Sequence, residues 1–389
     1  MIALVFLYFK FRYLFCSVTV CMKKRKGRDM KYSFPVTRTT TPKEKPTDMS
    51  SLGFGKYFTD HMFIMEYDEG QGWHDGRIVP YGPISFDPGA TTLHYGQMMF
   101  EGLKAYRNPE GGLNLFRPDM NAKRLNNTND RMCIPHMDEE LFVEAVKAIV
   151  DVDRDWTPDG PGTSLYIRPF ILSPEVSFSV LPAKKYMFYI ILCASGAYYA
   201  GNETKLHGSR ILVEEHYIRA AIGGTGFAKC GGNYACGMIA STKAKEHGCE
   251  EVLWLDAFEH RYVEEVGTSN AFFRIGDKVV TPMLTGSILP GVTRDSTIQL
   301  LRKWGIEVEE RRIELAEIFD AIKDGSLKEA WATGTACVIS PIGVLNYKGD
   351  DYEINHGEVG DLSQRLYDSL YGMQTGKLPD EMGNWVVKM

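Results

Sequence analysis

The segment GGTGFAKCGGNYACG, residues 223–237, constrains the fold of this 389-residue chain more strongly than its other segments do. It places six glycines around a single lysine, Lys229. A glycine inside a helix or strand costs roughly 0.5–1 kcal/mol relative to alanine, so such a cluster indicates that the backbone needs the space. Three interpretations compete: a flexible surface loop, a phosphate-binding turn, and a lysine held against a planar cofactor.

The spacing excludes the two common phosphate-binding loops. A Walker loop requires G-x-x-x-x-G-K-[ST], but Lys229 follows an alanine and precedes a cysteine. A dinucleotide fingerprint requires G-x-G-x-x-G, and here the lysine occupies the position of the third glycine. A solvated surface lysine is the simplest remaining interpretation, but the flanking segments HYIRAAIGG and NYACGMIAS look buried. A lysine in such surroundings has its ammonium form disfavoured and can become a nucleophile or Schiff-base former.

Composition indicates an ordinary globular protein. Hydrophobic residues make up 44% of the chain, charged residues 24%, and the net charge is −6. The body of the chain has no polybasic face, so we expect no nucleic-acid partner. The eight cysteines form no C-x-x-C pair and no zinc-binding spacing, so we expect no metal site. Unpatterned cysteines favour a reducing compartment, and we expect a cytoplasmic protein.

The N-terminal extension, residues 1–50, is apolar at first and then basic. Lys10 and Arg12 interrupt the apolar run, and each would cost about 2.5–3.5 kcal/mol at the centre of a membrane-spanning helix. A secretory signal has its basic cluster before the apolar run, whereas KKRKGR follows it here. We interpret the extension as disordered or as an over-long start, with a targeting peptide or membrane anchor as alternatives.

Hydrophobic patterning predicts two mixed domains, and hence an α/β or α+β chain. We place a small α/β domain at residues 51–196, a linker at residues 197–208 and a larger domain at residues 209–389. The linker is polar and glycine-bearing between two apolar strands. Amphipathic helices are predicted to begin near Asp138, Ala235, Thr293 and Leu315, and a hairpin turn at Gly276–Asp277.

A Schiff-base lysine implies pyridoxal phosphate, which needs a carboxylate at its pyridinium nitrogen, donors for its phosphate and an aromatic hydroxyl near its phenolic oxygen. Glu265 offers the carboxylate, and Tyr234 offers the hydroxyl. The segment LTGSILPGVTR opens a helix at Val292, whose free N–H groups and dipole suit a phosphate. Each residue also has an ordinary interpretation, as a surface acid, a core aromatic or a helix start. Only their conjunction favours a cofactor site.

From about residue 54 onward, the chain resembles the branched-chain amino-acid aminotransferases, a family of fold-type IV pyridoxal-phosphate enzymes. The similar segments occur in family order: FGKYFTDHM, TLHYGQMMFEGLKAYR, LFRP, SLYIRP, GGTGFAKCGGNY, EVGTSN, ILPGVTR and GTA. The resemblance implies a smaller N-terminal α/β domain, a larger C-terminal domain with a barrel-like sheet, pyridoxal 5'-phosphate in the cleft between them, and a homodimer. The implied reaction is reversible ping-pong transfer of the amino group of L-leucine, L-isoleucine or L-valine to 2-oxoglutarate, giving L-glutamate.

The resemblance also implies roles for individual residues. Lys229 would bind the cofactor as an internal aldimine and carry the proton during transfer. Glu265 would face the pyridinium, Tyr234 the phenolic oxygen and Leu289 the ring. The implied phosphate ligands are Arg117, Arg219, Thr268, Val292, Thr293 and Thr335. The implied substrate contacts are Phe54, Tyr95, Phe100, Tyr166, Arg168, Tyr198, Thr335 and Ala336.

The implied substrate pocket must accept both a branched side chain and a second carboxylate, although aromatic walls carry no charge. In the family, Arg168 and tyrosine hydroxyls assist with the second carboxylate, and the turn at Thr335–Ala336 binds the α-carboxylate. Lys104 matches a family position without a clear role. Cys337 is followed three residues later by Ser340, where mammalian relatives have a second cysteine, so we expect no dithiol switch.

Other functions remain open at this point. D-amino-acid aminotransferase and aminodeoxychorismate lyase share the fold and would keep the lysine, the glutamate and the phosphate ligands. The segments FEGLKAYR, SLYIRP and GGNY favour the branched-chain enzyme. A catalytically inactive, ligand-binding relative is the non-enzymatic alternative, which the presence of both Lys229 and Glu265 disfavours.

Overall fold

The computed structural model describes residues 32–196 and 206–389. The predictions for residues 1–31, for Tyr198 and for most of the linker therefore lie outside the described residues. In the described part of the chain, the first half builds one sheet and the second half builds another.

The strands and helices of the described residues have the following bounds. The strands are β1 Tyr57–Asp68, β2 Gly72–Pro80, β3 Met98–Phe100, β4 Leu103–Arg107, β5 Leu113–Phe116, β6 Ser164–Leu172, β7 Lys185–Ser195, β8 Ser209–Val213, β9 Glu251–Leu255, β10 Val263–Val266, β11 Ser269–Ile275, β12 Lys278–Pro282, β13 Val308–Arg311, β14 Leu327–Gly334, β15 Val338–Tyr347, β16 Asp350–Glu353 and β17 Val386–Lys388. The α-helices are α1 Thr91–Tyr95, α2 Pro118–Met132, α3 Glu139–Val152, α4 Gly231–Glu246, α5 Val292–Lys303, α6 Leu315–Lys323 and α7 Asp361–Thr375.

The first sheet is antiparallel, in the order β17-β5-β4-β6-β7-β1-β2, with β3 paired to β6. Helix α3 belongs to its core because apolar residues recur at helical spacing, and Phe142 and Val146 are fully buried with Phe188 of β7. The Asp138 carboxylate caps this helix by accepting a hydrogen bond from the Leu141 N–H at 2.9 Å. The helix predicted from Asp138 is therefore confirmed.

The second sheet closes on itself. Its strands follow the order β10-β9-β8-β15-β14-β11, and β10 also pairs with β11, which completes a six-stranded barrel. Strands β12 and β13 extend the sheet from β11, and β16 pairs with β15. Helices α5 and α7 share a buried cluster with Phe272 of β11 and Trp331 of β14, whose rings stack 5.6 Å apart. The predicted mixed fold with a barrel-like sheet is confirmed.

Some elements differ from the expectations. Helix α4 begins at Gly231 rather than near Ala235. Helix α2 was not predicted, because its buried face includes Asn121, Arg124 and Asn129 instead of an apolar stripe. The C-terminal strand β17 pairs with β5 of the first sheet, although its residues lie in the sequence range of the larger domain. The domain boundaries themselves remain a prediction.

None of the helices formed by residues 32–196 and 206–389 is long and apolar enough to cross a bilayer. Across the same residues, histidine, cysteine, aspartate and glutamate side chains form no group of three that could hold a metal ion.

Candidate active site

A cavity of about 1430 Å³ lies where the two sheets face each other. The first sheet contributes β3, β4 and β6, and the second half contributes the starts of α4 and α5 and two turns between strands. Most of the predicted site residues line it: Phe54, Phe100, Tyr166, Arg168, Lys229, Tyr234, Thr268, Leu289, Val292, Thr293, Thr335 and Ala336. Residues separated by almost 300 positions in sequence thus surround one space.

Lys229 reaches this cavity from the residues just before α4. Its ammonium donates a hydrogen bond to the Tyr234 hydroxyl at 2.7 Å and lies 4.7 Å from the centre of the Phe100 ring. Its backbone is bonded to the first half of the chain on both sides. The Lys229 N–H donates to the Thr128 hydroxyl at 3.0 Å, and the Phe100 N–H donates to the Lys229 carbonyl at 3.0 Å. The lysine is therefore fixed at the cavity rather than carried on a solvated loop.

The glycines around the lysine are needed for close packing of the backbone. A Cβ at Gly226 would collide with the backbone of Ser287, so only glycine lets this loop approach the segment that leads into α5. Gly223 has a φ of +83°, which side chains rarely adopt. A Cβ at Gly231 would lie 3.3 Å from the sulfur of Met98 in the cavity wall. The glycine cluster therefore allows the close packing that positions Lys229 at the cavity.

Glu265 lies just behind the cavity wall and is 1% exposed. Its carboxylate pairs with the Arg219 guanidinium at 2.7 Å, and it accepts hydrogen bonds from the Leu289 N–H at 2.8 Å and the Asn270 amide at 3.1 Å. Burial raises the pKa of the Glu265 carboxyl, and the positive charge of Arg219 opposes that rise. The carboxylate is thus rigidly held next to Leu289, which does line the cavity.

The start of α5 offers a site for an anion. Gly291 precedes Val292 and Thr293, and the first N–H groups of a helix have no partner within the helix. A Cβ at Gly291 would collide with the side-chain oxygen of Asn270, so glycine keeps this corner of the cavity open. The hydroxyl-bearing residues Thr268 and Thr335 line the same cavity. Together these groups match the donors that a phosphate requires.

The other part of the cavity has aromatic walls and contains the Arg168 guanidinium. The rings of Phe54 and Tyr166 meet edge to face at 4.8 Å. The Arg168 guanidinium lies 4.7 Å from the Phe100 ring centre and donates to the Tyr166 hydroxyl at 3.1 Å. The buried Nε of Arg168 has no partner among the described residues. A Cβ at Gly102 would collide with the Tyr166 hydroxyl, so a glycine is needed for this tyrosine to hold its place.

The family of the chain follows from comparison with known proteins. Residues 98–344 match the model of the family described as amino-transferase class IV. The chain belongs to the class IV aminotransferases. The matched range covers well over half of the sequence and includes the glycine-framed lysine and every cavity-lining residue just described except Phe54.

Individual relatives of this class IV aminotransferase are similar over almost their whole length. It is 51% identical over 352 residues to branched-chain-amino-acid transaminase 1 of Bacillus subtilis, covering 90% of this chain and 98% of the relative. The branched-chain amino acid aminotransferase of Escherichia coli superposes with a TM-score of 0.69 at 27% identity, covering 83% of this chain and 98% of the other. The T.th. branched-chain amino acid aminotransferase with pyridoxamine 5'-phosphate superposes with a TM-score of 0.68 at 28% identity. The match covers 83% of this chain and 97% of the other.

Class IV aminotransferases use pyridoxal 5'-phosphate, and the residues of the cavity fit it. The Lys229 amine is available for a carbonyl carbon, with a tyrosine hydroxyl beside it. The start of α5 provides N–H donors for a phosphate. The buried hydroxyl of Thr333, which lines the cavity, has no hydrogen-bond partner among the described residues. An unpaired buried donor of this kind is consistent with a polar ligand.

Besides Glu265, three predicted site residues among those that the structure describes do not line the cavity. Arg219 lies behind the wall with Glu265, and Arg117 donates to Ser296 and pairs with Asp295, both at 2.7 Å. Tyr95 is 44% exposed, and its hydroxyl donates to a backbone carbonyl elsewhere on the surface. Tyr198 lies outside the described residues. The roles of these residues remain predictions.

Two polar groups at the site were not predicted from the sequence. Glu101, which is fully buried, forms a two-pronged ion pair with Arg124, with both distances 2.8 Å, and Arg124 lines the cavity. Asn270 lines the cavity and bonds both Glu265 and the Leu289 carbonyl. Both groups lie in or near segments that carry the family resemblance, so their position in FEGLKAYR and EVGTSN was the available signal.

Proposed function

We propose that this aminotransferase is a branched-chain-amino-acid transaminase. It transfers the amino group of L-leucine, L-isoleucine or L-valine to 2-oxoglutarate and produces the branched 2-oxo acid and L-glutamate. The observation that carries the proposal is a single cavity that contains a fixed Lys229, an anion site at the start of α5 and aromatic walls beside Arg168. Because the two half-reactions use the same cavity, the mechanism is ping-pong.

The cofactor is held by groups already in place. Leu289, which lines the cavity, would pack against the ring, and Glu265, which accepts a hydrogen bond from the Leu289 N–H, would serve the ring nitrogen. The start of α5, with Val292 and Thr293, would hold the phosphate. When bound, pyridoxal 5'-phosphate supplies an electron sink for the negative charge that develops at the α-carbon of the substrate.

Lys229 is the base that takes the proton from the α-carbon of the substrate. This role requires an amine that is free of the cofactor once substrate has bound, and that stays near its first position. The hydrogen bonds of the Lys229 backbone to Thr128 and Phe100 keep the side chain within reach of the cavity. The Tyr234 hydroxyl, 2.7 Å from the amine, orients it and shares its proton.

The two substrates use different parts of the same walls. The rings of Phe54, Phe100 and Tyr166 give a branched aliphatic side chain an apolar surface on which to bury. The Arg168 guanidinium, with its unpaired Nε, provides the charge for the second carboxylate of 2-oxoglutarate or L-glutamate. The Thr335–Ala336 turn receives the α-carboxylate that both substrates share.

The active form is a homodimer in the cytoplasm. An exposed apolar face on the first half of the chain supports the dimer, with Val176, Phe178, Val180 and Leu181 between 61% and 78% exposed. Tyr95 lies against this face, and its hydroxyl donates to the Phe178 carbonyl at 2.7 Å. A second copy packed here would bring Tyr95 to an interface. The cytoplasmic location is supported by the free thiols of the six cysteines in the described residues.

An absorption spectrum tests the proposed function. The protein loaded with pyridoxal 5'-phosphate should show a visible band that bleaches with L-leucine and returns with 2-oxoglutarate. A band that ignores L-leucine and responds to D-alanine would instead identify a D-amino-acid aminotransferase. If no band formed after incubation with the cofactor, the cofactor assignment would be wrong.

A further inference from the structure

Glu264 is a buried acid next to the site, and none of the roles proposed above uses it. It immediately precedes Glu265 on β10 and is 7% exposed. Burial raises the pKa of the Glu264 carboxyl to about 7, although the hydrogen bond from Ser287 opposes the rise. Within residues 32–196 and 206–389, no basic side chain forms an ion pair with it. A buried acid without a counter-charge is unfavourable, so its presence beside the site indicates a specific role.

The carboxyl group of Glu264 holds the side chain of Ser287. The Ser287 hydroxyl donates a hydrogen bond to Glu264, and it also bonds to the Thr285 hydroxyl at 2.9 Å. Ser287 is 1% exposed, so water has little access to this contact. In the part of the chain that the structure describes, Ser287 is the one side chain that is hydrogen-bonded to Glu264. Glu264 therefore fixes a serine in the segment that leads into α5.

The backbone of Ser287 supports the loop that leads to Lys229. Gly226, three residues before the lysine, packs so closely on Ser287 that an added Cβ would collide with the serine carbonyl. The Arg219 guanidinium donates to the Ser287 carbonyl at 3.0 Å and to the Gly226 carbonyl at 3.4 Å. The same guanidinium pairs with Glu265 at 2.7 Å. A shift of Ser287 would therefore disturb both the loop before Lys229 and the support of Glu265.

We propose that Glu264 is a positioning residue for Lys229. By holding the Ser287 hydroxyl, it fixes the backbone on which the glycine-rich loop rests, and the loop keeps the lysine amine at the place where the cofactor attaches. A misplacement of about 1 Å at a reacting group can cost about a hundredfold in rate, so a residue that touches neither cofactor nor substrate can still govern the reaction. Cofactor attachment precedes substrate binding, so this role does not depend on which amino acid is the substrate.

The rate at which the visible band forms tests this role. The band appears as the Lys229 amine condenses with the carbonyl group of pyridoxal 5'-phosphate and water is released. We would mix the full-length protein, freed of cofactor, with saturating pyridoxal 5'-phosphate and follow the absorbance by stopped flow. We expect Glu264→Met and Ser287→Ala each to slow band formation about tenfold, because both break the contact that supports the loop. The double variant should be no slower than either single variant, since one contact is lost in all three.

A conservative variant separates positioning from a general need for the buried acid. Glu264→Gln keeps an oxygen that can accept the hydrogen bond from Ser287, and it should form the band within about twofold of the wild-type rate. Glu259→Met is the matched control between β9 and β10. Its acid is 48% exposed and lies 3.5 Å from Arg312, so its loss should leave the rate unchanged. Urea denaturation establishes that each variant is folded before mixing.

Three results would overturn the role of Glu264. They are a wild-type rate in Glu264→Met, a slowing of about a hundredfold in the double variant, and a Glu264→Gln variant as slow as Glu264→Met. If Glu264→Met does not fold, Glu264→Asp takes its place with the same expectation, because it withdraws the carboxyl from Ser287 by one methylene group. If wild type forms no band at all, the cofactor assignment is wrong. A normal band in wild type that ignores L-leucine contradicts only the proposed substrate.

Discussion

Arg219 and Glu265 form a buried ion pair, 2.7 Å between Nε and Oε2, directly behind the cavity wall. Both side chains are at most 7% exposed, and Arg219 also donates to the Ser287 carbonyl at 3.0 Å. The pair therefore joins the glycine-rich loop before Lys229, the strand β10 and the segment leading into α5. The carboxylate that we assign to the ring nitrogen is immobile because of this arrangement.

Glu265→Gln should lower both stability and activity. The substitution keeps the shape and the hydrogen bond from Leu289, but it leaves the Arg219 guanidinium buried without a counter-charge. We expect the free energy of unfolding to fall by about 3 kcal/mol and kcat to fall about a hundredfold, measured by urea denaturation and steady-state kinetics. Glu314→Gln is the matched control, since its pair with Arg261 is largely exposed, and it should change neither quantity measurably. If Glu265→Gln had the same free energy of unfolding as wild type, the loss of the buried counter-charge to Arg219 would not be destabilising, and the prediction would be wrong.

Lys229→Ala should abolish the visible cofactor band and reduce transamination by at least about a thousandfold, since it removes both the attachment point and the proton carrier. The control is Lys243→Ala, further along α4, which removes a lysine that lies over the Tyr217 ring. This variant should retain the visible cofactor band and the transamination activity. The measurement is the spectrum of the loaded protein together with single-turnover rates. Near-normal turnover in Lys229→Ala would rule out the assignment of the catalytic lysine.

Gly102→Ala should damage the aromatic part of the cavity. The new methyl group collides with the hydroxyl of Tyr166 and forces that side chain to move, together with its bond to Arg168. We expect kcat/KM for L-leucine to fall about tenfold or more. Gly82→Ala provides the comparison, because a Cβ there meets nothing within 4 Å. If the two variants had the same kcat/KM, Tyr166 could not be part of the substrate wall.

Lys104 should make stability depend on pH in the alkaline range. Burial lowers its pKa from 10.5 to about 8, so between these values the unfolded chain binds more protons than the folded protein. Below pH 8, the buried charge of Lys104 lowers the free energy of unfolding by its full amount, about 3 kcal/mol. This loss disappears as the pH rises through 10.5. Without substrate, Lys104→Met should therefore be more stable than wild type at pH 7, with a difference that shrinks above pH 8. Urea denaturation at several pH values measures it, and a difference that stays constant would contradict the prediction.

Phe178→Asp should dissociate the proposed homodimer. The side chain is 71% exposed in the single chain, and a carboxylate placed in an apolar interface would be desolvated without a partner. Sedimentation velocity at several protein concentrations is the measurement. Phe258→Asp alters an equally exposed phenylalanine in the second half of the chain and should leave the association unchanged. A monomeric wild type, or a Phe178→Asp variant that associates normally, would refute this interface.

The groups nearest to the lysine could be predicted from sequence because their roles demand particular residue types. Tyr234 lies five positions after Lys229, within the first turns of the helix that follows, so local structure alone brings the two together. Glu265 and the start of α5 could be recognised from short segments that combine an acid or a helix start with glycine. Their convergence on one cavity still depends on the closure of the barrel, which short segments do not encode.

The rest of the site could not be predicted because side-chain partners are set by tertiary structure. The resemblance implies that Arg117 and Arg219 are phosphate ligands, which stays a prediction, but it does not reveal that their guanidinium groups pair with Asp295 and Glu265, respectively. Helix α2 was not predicted from the sequence for a related reason. Its Arg124 is buried by an ion pair with Glu101 rather than by apolar packing, and hydrophobic periodicity cannot reveal a buried polar face.

The position of strand β17 near the C-terminus determines when the first sheet can be completed during synthesis. Val386–Lys388 pairs with β5 of the first sheet, and the N–H of Met389 donates to the Leu113 carbonyl at 2.8 Å. During synthesis, the partner strand leaves the ribosome more than two hundred residues before β17 exists. The edge of the first sheet at β5 therefore stays unpaired until β17 has been synthesised. A nascent chain of this protein therefore carries an unpaired β edge at β5. A chaperone, or a second nascent copy, can bind this edge before β17 pairs with it.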